Sequence, residues 1–317
     1  MITTNIDLAK QVLCNNGIIA IPTETVYGLA GNAFNESAVE KIFALKKRPH
    51  FNPLIVHIKS ADSITDVASA IPEAALLLAT KFWPGPLTLL LNKKSNIPDL
   101  VTAGKPTVAV RMPNHPLTLS LLEQLDFPLA APSANPFGSI SPTSAAHVYN
   151  YFQEDLEVVL DGGECNNGVE STIIGFENNL PVLYRLGAIS VEEVEAVVGK
   201  VLIHSKNDED PAAPGMLSRH YSPNTNTYLT DDVAEFIKQY PNKKIGLLLF
   251  KDAIEDNASF HKEVLSAEGD MAEAAKNLYA ALHRLDRLNL DIIIAERLPD
   301  EGLGKTINDR LQRAVEK

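Results

Sequence analysis

The chain has 317 residues, of which 45% are hydrophobic and 21% are charged, a composition that excludes a disordered chain and favours a folded protein with two domains. Lys and Arg total 28 against 40 Asp and Glu, so the formal net charge is -12, and the field of the whole molecule opposes binding to nucleic acid or anionic membranes. The sequence has neither a signal-peptide pattern nor an apolar run of the roughly 20 residues that a membrane span requires, which predicts a cytoplasmic protein.

The predicted elements of the first two hundred residues mix helices with strands. Apolar residues recur at helical spacing over residues 8–13, Gly17 stops the helix as a C′ residue would, and residues 18–21 form a β-rich run. A second helix is capped by Asn35 or Ser37 and precedes a strand at residues 54–58. Further strands are predicted at residues 87–91, 108–110, 129–131, 158–160, 171–174 and 182–184, and further helices at 73–82, 117–125, from about 145, and 191–198.

Prolines and glycines crowd the ends of these predicted strands, for example at Pro22, Pro113 and Pro132. This distribution is typical of a twisted sheet whose loops converge on one rim. Ligands usually bind at such a rim.

The last third of the chain has its own pattern. Residues 205–226 lack a hydrophobic period and are rich in Pro, Asn, Asp and Ser, which predicts a linker. A smaller α/β domain of Rossmann-like type is then indicated by helices at 233–240, 271–285 and 307–315 and strands at 245–250 and 291–295. The predicted organisation is therefore a larger α/β domain at 1–204, a linker at 205–226 and a second domain at 227–317.

A short glycine-rich segment, GLGKT at residues 302–306, resembles the end of a phosphate-binding P-loop. The full pattern requires a glycine five residues before Gly304, where this chain has Pro299, a residue with a fixed φ and no N–H to donate. We therefore interpret the segment as a loop before the last helix.

A basic cluster lies directly before a predicted strand in KKRPHFNPLIVH, residues 46–57. Pro49 favours unwinding of the preceding helix, which would let Lys46 and Arg48 point into one cleft and bind an anion such as a triphosphate. Alternatively, the cluster is a solvated charge run that the helix C-terminus favours. The cluster alone does not decide between these interpretations.

Polar groups at other predicted strand ends favour a ligand site. The turn PTETVYG at residues 22–28 packs hydroxyls, a carboxylate and a phenol where a core would be apolar, and His57 ends the strand that follows the basic cluster. The hydroxyl-rich stretch at residues 133–143 either caps the helix that begins near residue 145, or its Ser133 and Asn135 face the cations and bind phosphate or ribose. Arg111 either pairs with a substrate carboxylate or forms a surface salt bridge.

Taken together, these motifs resemble those of YrdC-type threonylcarbamoyl-AMP synthases. The motifs that carry the resemblance occur in the family's order: IPTETVYGLAG, KKRPHFNPLIVHI, WPGPLTLLL, VAVRMPNHP, APSANPFGSISPT, DGG, GVESTII and YRLGAIS. PGMLSRHYSP and GLGKTINDRLQRA are similar to segments of the two-domain members. The resemblance covers nearly the whole chain and implies a YrdC-like catalytic domain with a twisted α/β sheet and a deep cavity, followed by a Rossmann-like domain across its mouth.

The resemblance also implies a reaction. The family joins L-threonine, bicarbonate and ATP, with Mg²⁺, to give threonylcarbamoyl-AMP and pyrophosphate, a nucleotidyl transfer. A separate transferase then uses the product to form threonylcarbamoyladenosine in tRNA, so tRNA is not expected to be a direct substrate.

The family's site residues are carried over by position onto this sequence. The catalytic phosphate site falls on Lys46, Arg48, Ser133 and Asn135. Further ATP contacts fall on Asn52, Thr107, Ser141, Arg185 and Tyr221, and threonine contacts fall on Thr25, His57, Arg111, Ala131 (through its backbone) and Ser171.

The linker departs from the family pattern at Leu217 and Ser218, where a Lys-Tyr pair is usual, although Tyr221 still matches and is expected to close over the nucleotide.

No carboxylate cluster has metal-site spacing, so no protein metal ligand is predicted and Mg²⁺ is expected to be carried by ATP and water; Glu24 and Glu170 are the only carboxylates in suggestive places. Cys14 and Cys165 are interpreted as small hydrophobes. Two alternatives are an RNA-binding module and a carbamoyl-transfer or hydrolytic enzyme of related fold.

Overall fold

The computed structural model describes residues 1–204, 211, 213–216, 220–252, 254–255 and 260–316. Within them the chain forms a 12-stranded sheet and a 4-stranded sheet, both flanked by helices. The predicted fold class, a twisted α/β domain followed by a smaller Rossmann-like α/β domain, is confirmed.

The larger sheet is built from the first two hundred residues. Its strands are β1 (Ile2–Thr3), β2 (Ile19–Ile21), β3 (Gly28–Asn32), β4 (Ile55–His57), β5 (Ala68–Ser69), β6 (Leu87–Lys93), β7 (Thr107–Arg111), β8 (Leu129–Ala130), β9 (Val158–Leu160), β10 (Thr172–Glu177), β11 (Leu180–Arg185) and β12 (Leu202–Ile203). The helices of this part are α1 (Ile6–Cys14), α2 (Glu36–Lys46), α3 (Ile64–Val67), α4 (Glu73–Phe82), α5 (Asp99–Thr102), α6 (Pro116–Glu123), α7 (Ala145–Phe152) and α8 (Val191–Val198), with a 3-10 turn at Gln153–Asp155.

The pairing of the central strands positions the site. The strand order is β1-β9-β2-β3-β8-β4-β7-β6-β10-β11-β12, with β5 paired to β6. Strands β4 and β7 are parallel and in register, so His57 lies opposite Arg111. Strand β10 enters beside the start of β6, which is antiparallel to β7. The strand ends that carry His57, Arg111 and Ser171 therefore meet at one edge of the sheet.

The second sheet is parallel throughout and has the order β13-β16-β14-β15. Buried Leu247 and Ile293 lie in its central strands, as expected where helices cover both faces of a parallel sheet. Its elements are β13 (Thr227–Thr230), α9 (Val233–Ile237), β14 (Ile245–Leu249), β15 (Phe260–Val264), α10 (Met271–Asp286), β16 (Ile292–Glu296) and α11 (Leu303–Val315).

Helices α10 and α11 pack directly on the first domain. Gly168 has φ +71°, and a Cβ there would lie 2.3 Å from the carbonyl oxygen of Lys276 in α10, so a glycine is needed at this closest approach of the two backbones. Nearby, the rings of His147 and His283 stack with their centroids 3.9 Å apart. The second domain is thus packed against the loops that surround the site.

The stacked histidines predict a pH dependence of stability. Burial, helped by the neighbouring charges, lowers the pKa of His147 to about 3, and burial lowers the pKa of His283 to about 4. In the unfolded chain both take up protons near pH 6.5, so the free energy of unfolding should fall as the pH drops from about 6.5 towards 4. We expect His147→Phe, which keeps a stacking ring, to reduce the loss between pH 7 and 5 by about 1–2 kcal/mol, measured by urea denaturation. Equal losses in both proteins would contradict this.

Several local predictions are corrected by the structure. Asn16, not Gly17, adopts the left-handed conformation after α1, with φ 56°; Gly17 is required because a Cβ there would lie 2.5 Å from Val12 Cγ1. The prediction of a loop at residues 302–306 is wrong, since α11 begins at Leu303 and Thr306 is buried in its first turn. The P-loop pattern stays excluded.

Other boundaries agree closely with the pattern. Asn35 is the N-cap of α2 and its side chain accepts the Ala38 N–H, which decides between the two predicted caps. Strands β3 and β15 were not predicted because their sequences, GLAGN and FHKEV, lack a run of β-branched residues. Strand β13 was missed although its sequence, TYLT, favours a strand. No helix in the described residues combines the length and the apolar character that crossing a bilayer demands.

Candidate active site

A small polar cavity lies at the sheet edge where β4 and β7 end, with a free volume of about 50 Å³. Its wall combines three arginines with hydroxyl groups and one histidine from the first domain, closed on one side by residues after β12. The lining residues are Thr23, Thr25, Val26, Gly28, Arg48, Ile55, His57, Arg111, Ala131, Pro132, Ser133, Glu170, Ser171, Arg185, Pro214, Gly215, His220 and Tyr221.

Arg48 is held rigidly in the cavity wall. Its Nε donates to the Asn52 carbonyl at 3.1 Å, and its Nη2 donates to Asn52 Oδ1 at 2.7 Å and to the Pro53 carbonyl at 2.8 Å. Burial, helped by the nearby Arg185 charge, lowers the pKa of Arg48 to about 9, so the guanidinium is still charged at pH 7. This arrangement supports the anion-binding interpretation of the basic cluster over a solvated charge run.

Lys46 is buried behind this wall and does not line the cavity. Its ammonium donates to the carbonyl oxygens of Ser133 and Asn135, and its own carbonyl accepts the Phe137 N–H. Helix α2 ends at Lys46 because Lys47 turns left-handed with φ 53°. Burial lowers the pKa of Lys46. The lysine therefore ties the end of α2 to the loop that presents Ser133.

Arg185 fixes the opposite wall. Its Nε and Nη2 donate to the Ser171 carbonyl at 3.1 and 2.8 Å, and Nη2 also donates to Ser171 Oγ at 3.0 Å. Its Nη1 donates to the Pro214 carbonyl at 3.1 Å, which attaches the linker. Burial lowers the pKa of Arg185 to about 10, so it too is a fixed cation.

His57, Arg111 and Glu24 form a third group at the ends of β4 and β7. Arg111 Nη2 lies 2.7 Å from Glu24 Oε1, so the buried pair is nearly neutral as a unit. Burial and the Arg111 charge lower the pKa of His57 to about 3, so its imidazole is neutral at pH 7. Thr25 Oγ1 lies 2.9 Å from Thr23 Oγ1 in the adjoining turn.

Glu170 connects the cavity to the second domain. Its Oε1 accepts from Ser141 Oγ at 2.6 Å, and its Oε2 accepts from Tyr279 OH at 3.0 Å and from Arg310 Nε at 2.8 Å. Burial raises the pKa of this carboxyl, but the charges of Arg310 and Arg185 outweigh it and bring the pKa to about 2. The sequence marked Glu170 only as a suggestive carboxylate, because its partners lie about 110 and 140 residues away in the chain.

The linker residue Tyr221 lies under the second domain. It is 1% exposed, its ring stacks on Tyr279 with centroids 5.6 Å apart, and the Arg310 guanidinium carbon lies 4.9 Å from its centroid. Gly215 has φ +75°, and a Cβ there would lie 2.8 Å from Arg185 Nη1. Leu217 and Ser218, where the sequence departs from the family pattern, lie outside the described residues.

The structure brings most of the predicted site residues together. Those that line the cavity are Thr25, Arg48, His57, Arg111, Ala131, Ser133, Ser171, Arg185 and Tyr221. Lys46, Asn52, Asn135 and Ser141 are buried and support these groups. Thr107 is the exception, because it begins β7 and so lies roughly 13 Å along the strand from Arg111.

Several buried polar atoms around the cavity are unsatisfied. Asn52 Nδ2, His57 Nδ1, Asn135 Oδ1 and His220 Nδ1 have no hydrogen-bond partner within the described part of the protein. Buried polar groups are normally paired, so this concentration indicates a site that a polar ligand completes.

A roomier cleft of about 360 Å³ lies elsewhere, beside α3 and α6. Its charged groups, Lys59, Asp66, Lys94 and Asp126, balance in sign, and it contains none of the predicted site residues. The cavity between Arg48 and Arg185 is therefore the better candidate.

The described residues hold no group of three or more His, Cys, Asp and Glu side chains suited to a metal ion. In the cavity, the Glu170 oxygens are engaged by Ser141, Tyr279 and Arg310, and Glu24 is paired with Arg111. Both carboxylates of this region are thus engaged by donors of the protein itself.

The fold and the cavity define a class: two-domain α/β proteins with a cavity that is lined by fixed arginines and lies beneath a second domain. Comparison of the sequence with protein families is consistent with this. Residues 11–187 match the Sua5/YciO/YrdC family, described as "Telomere recombination", and residues 189–315 match a family described as "Threonylcarbamoyl-AMP synthase, C-terminal domain". The chain belongs to the Sua5/YciO/YrdC family and carries the Sua5 C-terminal domain.

Named relatives align with this chain over nearly its whole length. A protein of Pyrococcus abyssi named threonylcarbamoyl-AMP synthase is 41% identical over 98% of this chain and 93% of its own length. One of Bacillus subtilis with the same name is 39% identical over 97% of this chain and 92% of its length. The crystal structure of P. abyssi Sua5 complexed with L-threonine matches with a TM-score of 0.91 and 41% identity, covering 98% of this chain and 94% of that one.

Proposed function

We propose that this protein is an L-threonylcarbamoyladenylate synthase, a nucleotidyltransferase that joins L-threonine, bicarbonate and ATP into threonylcarbamoyl-AMP and pyrophosphate. The observation that carries the proposal is one buried cavity in which Arg48 and Arg185 face His57 and Arg111. Full-length relatives named threonylcarbamoyl-AMP synthase, and a Sua5 structure with L-threonine bound, support it.

The reaction has to bring two anions together. The threonine amine adds to bicarbonate, or to CO2 formed from it, giving a carbamate; a carbamate oxygen then attacks the α-phosphorus of ATP and pyrophosphate leaves. Fixed cations that need no reorganisation lower the cost of this encounter. We assign that role to Arg48, with Lys46 holding Ser133 and Asn135 in place beside the phosphates.

The threonine side is assigned to the group around His57. The carboxylate of threonine would pair with Arg111, whose present partner is Glu24. The neutral His57 imidazole, with its unpaired Nδ1, would accept a hydrogen bond from the threonine hydroxyl or amine. Ser171, Thr25 and the Ala131 backbone complete the threonine side of the proposed site. The nucleotide side is assigned to Arg185 and Tyr221, with Asn52 and Ser141 behind them; Thr107, at the far end of β7, is left out of it.

The linker is proposed to act as a lid. A cavity of about 50 Å³ is far smaller than the roughly 300–1,000 Å³ of a site that holds a ligand as large as a nucleotide, so Gly215, His220 and Tyr221 have to move for ATP to enter. Their return would exclude water from a product that hydrolyses readily.

The remaining partners are part of the same proposal. Mg²⁺ would enter with the ATP phosphates and water and would neutralise part of their charge. The product would pass to a separate tRNA threonylcarbamoyl transferase, with no direct binding of tRNA, as the net charge of -12 favours. A cytoplasmic location stays a prediction.

The test is to incubate the purified full chain with ATP, Mg²⁺, labelled bicarbonate and L-threonine. We expect a labelled adenylate and one pyrophosphate per adenylate, with L-serine much less effective as a substrate. Pyrophosphate release that does not depend on threonine would favour the carbamoyl-transfer or hydrolytic alternative, and steeply salt-dependent tRNA binding would favour the RNA-binding one.

A further inference from the structure

Arg310 is an arginine of the second domain that the proposed chemistry does not use. It lies in α11, within the GLGKTINDRLQRA segment, and only 1% of its surface is exposed. Charged side chains are seldom buried to this degree without a specific set of partners. Its partners therefore indicate what the segment does.

The guanidinium of Arg310 contacts three parts of the molecule at once. Its Nε donates to Glu170 Oε2 at 2.8 Å, its Nη2 donates to the Leu186 carbonyl at 2.6 Å, and its Cζ lies over the Tyr221 ring, 4.9 Å from the ring centroid. Glu170 directly precedes Ser171 in the chain, and Leu186 directly follows Arg185. Arg310 thus reaches the loops that form the cavity wall and the linker that closes it.

Glu170 passes this contact on to the proposed nucleotide side. Its second oxygen accepts from Ser141 Oγ at 2.6 Å, and the Ser141 carbonyl lies 3.2 Å from Nε2 of His283 in α10. Helix α10 therefore contacts the Ser141 carbonyl directly, through His283. Helices α10 and α11 hold the Ser141 hydroxyl through Glu170.

Electrostatics makes the arrangement depend on Arg310. A buried carboxylate without a compensating cation either takes up a proton or turns towards water. Either change would break the acceptor geometry that now fixes Ser141 and would release Tyr279 and the loop before Ser171. A contact that served only to join the domains would not need a charge at the cavity wall.

We propose that Arg310 is a positioning residue for adenylate synthesis: it fixes the Glu170 carboxylate, and through it Ser141 and the Ser171 loop, in the geometry that binds substrates. The inference rests on the proposed function and extends it. It gives the second domain a part in forming the site, beyond covering its mouth.

The test compares Arg310→Gln, which removes the cation, Glu170→Gln and the double variant with the wild-type full chain. We expect each single variant to lower kcat/KM for threonine by about 10–100-fold, with a raised KM and weaker threonine binding by calorimetry. The kcat/KM of the double variant should be no lower than that of the less active single variant, because the two residues act as one unit.

Lys305→Ala is the matched control. Lys305 lies in the same helix and its Nζ is 2.6 Å from Glu192 Oε1 of the first domain, on the surface and away from the cavity. Its kcat/KM should stay within twofold of the wild type. Melting temperatures report the stability of every variant.

The outcomes separate the two proposals. Wild-type protein that makes no adenylate contradicts the proposed function, whereas active wild-type protein with unaffected variants, or with single losses that multiply in the double variant, contradicts only the role of Arg310. If Arg310→Gln does not fold, Tyr279→Phe decides, since it removes only the hydroxyl that donates to Glu170. We expect about a 3–10-fold loss there, and wild-type kinetics would overturn the inference.

Discussion

Replacing Arg48 by alanine is expected to lower the rate of threonylcarbamoyl-AMP formation by about 10²–10³-fold, the range for loss of one fixed group that stabilises developing charge. Arg48 is the cavity cation whose position is set by three hydrogen bonds to residues 52 and 53. Without Arg48, less positive charge offsets the repulsion between the carbamate and the ATP phosphates. Pyrophosphate release in the presence of threonine measures the effect.

Arg48→Lys is the matched control for charge. It keeps a cation but cannot occupy all three acceptors in the fixed geometry of the guanidinium, so an intermediate loss of about tenfold is expected. The assays are run well below each melting temperature, because unpaired acceptors left at Asn52 and Pro53 also cost about 1–3 kcal/mol of stability. Full activity of folded Arg48→Ala would falsify the assignment of the phosphate site.

Gly168→Ala is expected to destabilise the protein by about 2–5 kcal/mol. The left-handed backbone, at φ +71°, costs an alanine about 1–2 kcal/mol, and overpacking adds about 1–3 kcal/mol. The new Cβ would lie 2.3 Å from the Lys276 carbonyl oxygen and 2.6 Å from that of Ala275. Both contacts are backbone atoms of α10, so the helix has to move away from the first domain. Urea denaturation measures the loss.

Gly163→Ala isolates the effect of the domain contact. Gly163 is also left-handed, with φ +81°, but a Cβ there meets nothing within 4 Å, so only the backbone cost of about 1–2 kcal/mol is expected. Adenylate synthesis should fall in Gly168→Ala, because displacement of α10 removes Tyr279 from Glu170, and should be retained in Gly163→Ala. Similar stability and activity in the two variants would show that the backbone approach at Gly168 is unimportant.

Local pattern was sufficient for much of the fold. The predicted helices at 73–82 and 191–198 coincide with α4 and α8, since both have a hydrophobic period and a proline or an N-cap at their start. The predicted strand at 158–160 coincides with β9, a short apolar run followed by two glycines. The errors lie where the local sequence gives no signal. Asn16, not Gly17, has the left-handed conformation after α1. Helix α11 begins four residues before its predicted start, and Thr306 in its first turn donates to the buried Gly187 carbonyl.

For the site, the sequence identified the residue types and the structure decided their roles. Lys46 and Arg48 form one motif, yet only Arg48 lines the cavity, because the left-handed Lys47 turns the chain between them. Thr107 and Arg111 belong to one strand, yet they lie at its opposite ends. The first difference is not encoded in the spacing of the residues, whereas the second follows from the strand predicted at 108–110, which already separates Thr107 from Arg111.

Family membership, the α/β class of both domains and the cations, hydroxyls and histidine of the site were determined by the sequence itself, because they depend on residue identity and on periods of a few residues. The stacking of Tyr221 on Tyr279, the neutrality of His57 and the contact of Arg310 with Glu170 were decided only by tertiary structure. These depend on burial and on contacts between residues up to 140 positions apart, and such contacts are fixed by how the two domains pack.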